Sequence, residues 1–239
     1  MIRDRSSYWR VRYNTMAQLR WLIAPPFDAE TVALLKGVID QERSWNRALA
    51  LSVLGASADA AHAPVFIAHL NDPSDRVVNA AAIALGKSKS PLAFDALVQL
   101  KDKPSWKNQS LISTLYALKE LGDPRGAAIA LDALRDDPPG ARWTLATPVW
   151  EYRLAAANTL VALGRASEAW PILETRYAAA LRENDVNDIF SNVLLMVSLG
   201  DARAKPLFAG LRDRFKDDAN AVAAIGSFEE QLDQATAPK

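Results

Sequence analysis

The sequence predicts an all-α, right-handed α-solenoid of about six helical pairs, and three observations lead to it. Leu-Gly pairs recur at Leu54-Gly55, Leu85-Gly86, Leu121-Gly122, Leu163-Gly164 and Leu199-Gly200, each closing an Ala/Leu/Val-rich segment of helical spacing. Their intervals, roughly 30 to 40 residues, match one helical hairpin per repeat. The segment after each pair also reads as a helix, and several carry Pro where a first helical turn tolerates it: Pro64, Pro171 and Pro206. Strand signals are missing, since β-branched residues are scattered and no alternating run is bounded by hairpin turns.

Residues 1–24 read as an incomplete first repeat, the second helix of a pair without its first. In that helix Trp9, Val11, Tyr13, Met16, Leu19, Trp21 and Leu22 fall on nearly every side, and a helix apolar all round expects neighbours all round. The expectation is that an upstream domain of the same polypeptide covers this end, or that a second copy of the chain does.

Residues 25–239 read as the solenoid proper. Each Leu-Gly glycine is expected to be the left-handed residue that stops a helix, because glycine enters that conformation without a Cβ clash. The following helices are Pro64 to Leu70, Phe94 to Leu100, Ala127 to Leu134, Pro171 to Leu181 and Pro206 to Leu211. Asn71-Asp72-Pro73, Asp102-Lys103-Pro104 and Asp136-Asp137-Pro138-Pro139 end three of them. The longest interval, Gly122 to Gly164, contains a Pro-rich stretch at 136–148 that cannot be helical throughout and is expected to project as a loop. Small residues such as Ala80, Ala81, Ala155 and Ala156 are expected to let neighbouring helices approach closely.

Composition narrows the function. Twenty-eight Lys and Arg balance 28 Asp and Glu, which gives a formal net charge of zero over 239 residues. No overall positive field draws the chain to nucleic acid or anionic lipid. No cysteine is present, so disulfides, thiolate zinc sites and thiol catalysis are excluded. No apolar run approaches the roughly 20 residues of a bilayer span, nor is there one of signal-peptide type. The compartment stays open.

The phrases Gly122-Asp123-Pro124-Arg125-Gly126-Ala127 and Leu70-Asn71-Asp72-Pro73-Ser74-Asp75-Arg76-Val77-Val78, the latter leading into Ala80 to Gly86, resemble the HEAT-like repeat of the phycobilisome-lyase type. The resemblance covers roughly Phe27 to Ala235 and implies stacked helical pairs. Members of this repeat class serve as scaffolds, lyases, DNA glycosylases and enzyme appendages. Tyr8-Trp9-Arg10-Val11-Arg12-Tyr13 and Ser44-Trp45-Asn46-Arg47-Ala48-Leu49 are also similar to the HEAT-like C-terminal segment of aminopeptidase N class zinc peptidases, whose catalytic domain is absent here.

Tests for chemistry within the chain are negative. No His-Glu dipeptide exists for a metallopeptidase helix or a HEAT-type iron site. His62 and His69 lie two helical turns apart, too far to share an ion. Ser110 and Ser113 lie in an Ala/Leu-rich helix, where exposure or bonding back to the helix is expected. No catalytic residue, cofactor or metal is assigned.

The candidate partner-binding residues are Arg142, Trp143, Trp150, Trp106, Trp9 and Tyr13. Trp9, Trp45, Trp106 and Trp150 each open a second helix, where packing against the next repeat is the plain expectation and a partner strip the functional one. Arg142 and Trp143 lie in the irregular loop, which no helical periodicity explains. Arg12, Arg47 and Arg153 hold the position that, by the resemblance, pairs with an Asp of a neighbouring repeat. The expected function is a non-catalytic protein-interaction or scaffold module, the C-terminal part of a larger protein. Its alternatives are an accessory segment of a zinc aminopeptidase, a bilin lyase and a DNA glycosylase.

Overall fold

Alternating cap chemistry and apolar spacing give the chain a succession of helical hairpins. The computed structural model describes residues 14, 17, 18, 24–136 and 150–237, and every regular element among them is helical. The three described residues before position 24 are helical; the remainder of 1–23 and the stretch 137–149 lie outside the described residues.

The helices follow in order. First come the pairs α1 (Ala29–Gln41) with α2 (Ser44–Gly55), α3 (Ala63–Ala68) with α4 (Asp75–Lys87), and α5 (Ala93–Lys101) with α6 (Gln109–Leu121). Then come α7 (Gly126–Arg135) and α8 (Trp150–Ala162), followed by the pairs α9 (Trp170–Glu183) with α10 (Val186–Ser198) and α11 (Lys205–Arg214) with α12 (Ala219–Thr236). Side-chain oxygens start several of them. Asp28 accepts from the Thr31 N–H at 2.7 Å, Asp185 from Asp188 at 3.0 Å, and Asp218 from Asn220 and Ala221. Pro64, Pro171 and Pro206 occupy first turns, as the sequence predicts.

The chain forms two compact units, 1–126 and 127–239. In the first unit the second helices form a row, α2 against α4 and α4 against α6. A seam of small residues brings them together. A Cβ added to Gly55 would stand 2.5 Å from the Cβ of Ala84, and one on Gly86 would collide with the backbone of Ala117. Ala81, Ala82 and Ala117 are fully buried. In the second unit α8 packs on α10 and α10 on α12, with Ala155, Ala156 and Ala157 wholly buried and Phe190 between Phe215 and Phe228 at 5.3 and 6.2 Å.

The seam corrects one expectation. Gly122, Gly164 and Gly200 have φ of 72°, 69° and 66° and stop their helices as predicted. Gly55 and Gly86 have no positive φ and serve close packing instead. The left-handed residues after α2 and α4 are Ala58 (φ 52°) and Lys89 (φ 53°), three positions later in each case. The Leu-Gly signal therefore mixes two roles, both favouring a residue without a Cβ.

Polar contacts tie successive repeats. Lys89 turns its ammonium onto the last carbonyls of α6, those of Glu120 and, at 2.9 Å, Leu121. First helices are capped in the same manner. Lys103 donates to the Leu70 carbonyl at 3.2 Å, Arg176 to that of Arg135 at 3.2 Å, and Arg214 to that of Leu181 at 3.4 Å. Each is a cation from the next pair placed at the negative end of a helix dipole.

Ser110 and Ser113 are both buried, and Ser113 departs from expectation: its hydroxyl bonds Asn79 Oδ1 at 3.1 Å across the α4/α6 contact. A hydroxyl there satisfies the Asn79 amide instead of its own helix.

Candidate partner-binding face

The row of second helices in the first unit presents one continuous stripe. On α2 and the Ala56 that caps its end it runs Trp45, Leu49, Ser52, Ala56, and on α4 it runs Arg76, Ala80, Ile83, Lys87. The i, i+4, i+7, i+11 spacing keeps each set on one helical face. Every α4 member stands 31 residues after its α2 counterpart, so the two stripes are the same surface of successive repeats. Between them lies a groove of about 520 Å³, floored by Ala48, Ala80 and Ala84 and flanked by Leu49 and Ile83.

The mouth of the groove is aromatic and cationic. The Arg76 guanidinium lies 3.5 Å from the centre of the Trp45 ring, and Trp45 is 42% exposed. Just beside it, Arg47 is held away from the groove: its Nη2 donates to both Asp72 carboxylate oxygens at 2.8 Å, while its Nη1 donates to the Glu42 carbonyl at 2.9 Å. Asp72 in turn accepts from the Ser74 N–H at 2.9 Å, which fixes the start of α4.

The predicted Arg–Asp pairing is found at two of its three positions. Arg153, at the same place in α8 as Arg47 in α2, is almost fully buried and reaches Asp188 of α10 at 3.4 Å. Arg12 lies outside the described residues. A second Arg device escaped the sequence reading. In Asp123-Pro124-Arg125 and Asp201-Ala202-Arg203 the Asp accepts the N–H two residues on, and its carboxylate grips the guanidinium. The gripped Arg125 lies 3.9 Å over the Phe94 ring, and Arg203 lies 4.6 Å over Trp170. The hydrogen bonds from Arg125 and Arg203 hold the Asp123 and Asp201 carboxyls below the ordinary carboxylate range, against a smaller opposing effect of burial. A recurring Asp-x-Arg one repeat after an aromatic was the legible signal.

Of the predicted partner residues, Trp106 is described in full. It stands 71% exposed ahead of α6, with the Lys107 ammonium 4.4 Å from its ring centre. Packing against the next repeat, the plain expectation for these tryptophans, does not hold for Trp106. The turn that carries it holds Lys107 and Asn108 both at positive φ, 52° and 56°, a conformation non-glycine residues resist. Trp150 begins α8, but its side chain lies outside the described residues, as do Trp9, Tyr13, Arg142 and Trp143. Trp45 shares the tryptophan pattern without being among the predicted partner residues, and it is the tryptophan that the groove uses.

No carboxylate or histidine lines the groove, so its chemistry is that of contact and charge. Among the described residues no three His, Asp or Glu side chains converge to hold a metal ion, and no helix is long and apolar enough to cross a membrane.

Comparison with known proteins agrees with this architecture. Residues 31–115, which contain the whole α2/α4 groove, match the HEAT repeats family. The chain is 31% identical over 117 residues to the uncharacterized phycocyanin operon protein Z of Pseudanabaena tenuis (strain PCC 7409), a match covering 46% of this chain and 58% of that protein. The chain thus spans a little over half the length of that relative. Its fold is similar to the complex of CpcE and CpcF of phycocyanin lyase from Nostoc sp. PCC7120, with a TM-score of 0.51 and 19% identity over 95% of this chain and 91% of that one. The match to HEAT repeats over residues 31–115 and the likeness in fold together give the chain an all-α, HEAT-like architecture.

Proposed function

We propose that this chain is a protein-binding HEAT module and that its partner lies along the shared face of α2 and α4. The groove carries this reading. A stripe of Trp45, Leu49, Arg76 and Ile83 around an alanine floor combines an aromatic, an arginine and aliphatic anchors, the residue types that dominate protein contacts. Trp106, exposed ahead of α6, is a further proposed contact. Arg142, Trp143, Trp150, Trp9 and Tyr13 are further proposed contacts on sequence grounds alone. Balanced charge argues against a nucleic-acid partner.

The test is affinity capture from cells of the source organism, quantified by mass spectrometry, with the parent chain, Leu49→Glu/Ile83→Glu, and Gln99→Glu on the exposed side of α5. Proteins retained by the parent and by Gln99→Glu but lost by the double variant are expected. Equal recovery by all three chains contradicts the assignment of the face.

A second reading, that the module assists bilin handling on a phycocyanin-type protein, is favoured by the operon protein and lyase likenesses. It predicts faster bilin attachment to an apo-phycocyanin subunit in the presence of the chain, and an unchanged rate rejects it. The accessory-segment reading for a zinc aminopeptidase draws no support from these likenesses.

A further inference from the structure

Among cations of the first unit, Arg76 and Lys87 differ from their neighbours. Arg47 is neutralised by Asp72, and Arg125 by Asp123. Arg76 and Lys87 line the groove with no carboxylate partner among the described residues, and none of the eleven lining residues is acidic. They stand at the two ends of the α4 stripe, eleven residues apart, which is about 16 Å along a helix. Between them Leu49 and Ile83 supply aliphatic contacts, Ser52 and Asn79 add polar ones, and Ala48, Ala80 and Ala84 leave room for a second backbone to come close.

Resting on the protein-binding reading, we infer that the groove takes an amphipathic helix of a partner protein that carries two carboxylates eleven residues apart with apolar residues between them. Positions i, i+4, i+7 and i+11 of an α-helix share one face, so such a helix repeats the pattern of the stripe it lies against. The outer carboxylates meet Arg76 and Lys87, and the inner side chains pack between Leu49 and Ile83. A peptide with lysines at the outer positions meets two uncompensated cations and is rejected.

The probe is an 18-residue synthetic helix with Glu at two positions eleven apart, Leu at the fourth and seventh positions after the first Glu, and Ala or Gln elsewhere. Its counterpart has Lys in place of Glu. Fluorescence anisotropy with the full chain is expected to show saturable micromolar binding of the Glu peptide, weakened as salt rises, and at least tenfold weaker binding of the Lys peptide. Arg76→Glu/Lys87→Glu should reverse the preference. Lys87→Glu alone, which leaves the Trp45 contact intact, should weaken the Glu peptide several-fold. Circular dichroism checks that these surface variants stay folded. Failure of the Glu peptide to saturate, equal affinity for the two peptides, or indifference to Lys87→Glu overturns the inference. Partner capture lost with Leu49→Glu/Ile83→Glu would leave the protein-binding reading standing through that failure.

Discussion

Gly55 of α2 and Ala84 of α4 meet so closely that no Cβ fits between them, and one repeat later Gly86 of α4 meets Ala117 of α6 in the same way. This contact sets the spacing of the second helices and hence the width of the groove they share.

Valine at Gly55 or Gly86 should therefore destabilise the first unit by about 2 to 4 kcal/mol, because the colliding atoms are a short side chain and backbone that cannot swing aside. Gly37 and Gly210 lie in helices with open space where a Cβ would stand, so alanine there should stabilise by about 0.5 to 1 kcal/mol. Urea unfolding measures all four. Tolerance of valine at both seam positions would show that the helices are not held at this distance.

Two aspartates separate buried from half-open ion pairs. Arg153 is 2% exposed, so water cannot replace the carboxylate that Asp188→Ala removes, and the loss of that charged contact should cost about 2 kcal/mol. Arg47 keeps 21% exposure and a bond to the Glu42 carbonyl, so Asp72→Asn, whose amide oxygen can still accept the Ser74 N–H, should cost about 1 kcal/mol. Thermal unfolding of the two variants decides, and the reverse order would refute the burial argument.

Acid should loosen the Asp-x-Arg clasps. Asp123 and Asp201 have folded pKa values depressed by their arginines, so their contribution is fully present above the unfolded value near 3.8 and is lost as pH falls through the lower folded value. In melting curves below about pH 4, the parent should lose more stability than Asp123→Asn/Asp201→Asn, with the curves converging at the acid end. Both arginines are exposed, so the difference should be small. Parallel curves across that window would remove the clasps from the account of stability.

Helix pairing was legible because it depends on chain-local signals: Pro64, Pro171 and Pro206 in first turns, Gly122, Gly164 and Gly200 at stops, and an alanine-rich second helix between them. The two roles of the Leu-Gly glycines were not separable, because a left-handed turn and a tight helix contact both select against a Cβ. Arg47 and Arg153 were readable only through the family resemblance, which implies an Asp partner in the neighbouring repeat. Trp45 was not. Its exposure depends on Arg76, 31 residues away, lying over its ring instead of an aliphatic side chain packing against it.

Site-specific photocrosslinking tests the central claim most directly. A photoreactive residue at Ile83, on the groove, and one at Gln99, on the exposed side of α5, would be irradiated in cells of the source organism and the joined peptides identified. The account expects one partner protein joined at Ile83 through a defined segment, with little or nothing joined at Gln99. A partner joined at Gln99 and absent at Ile83 would contradict it and move the binding surface to the first helices.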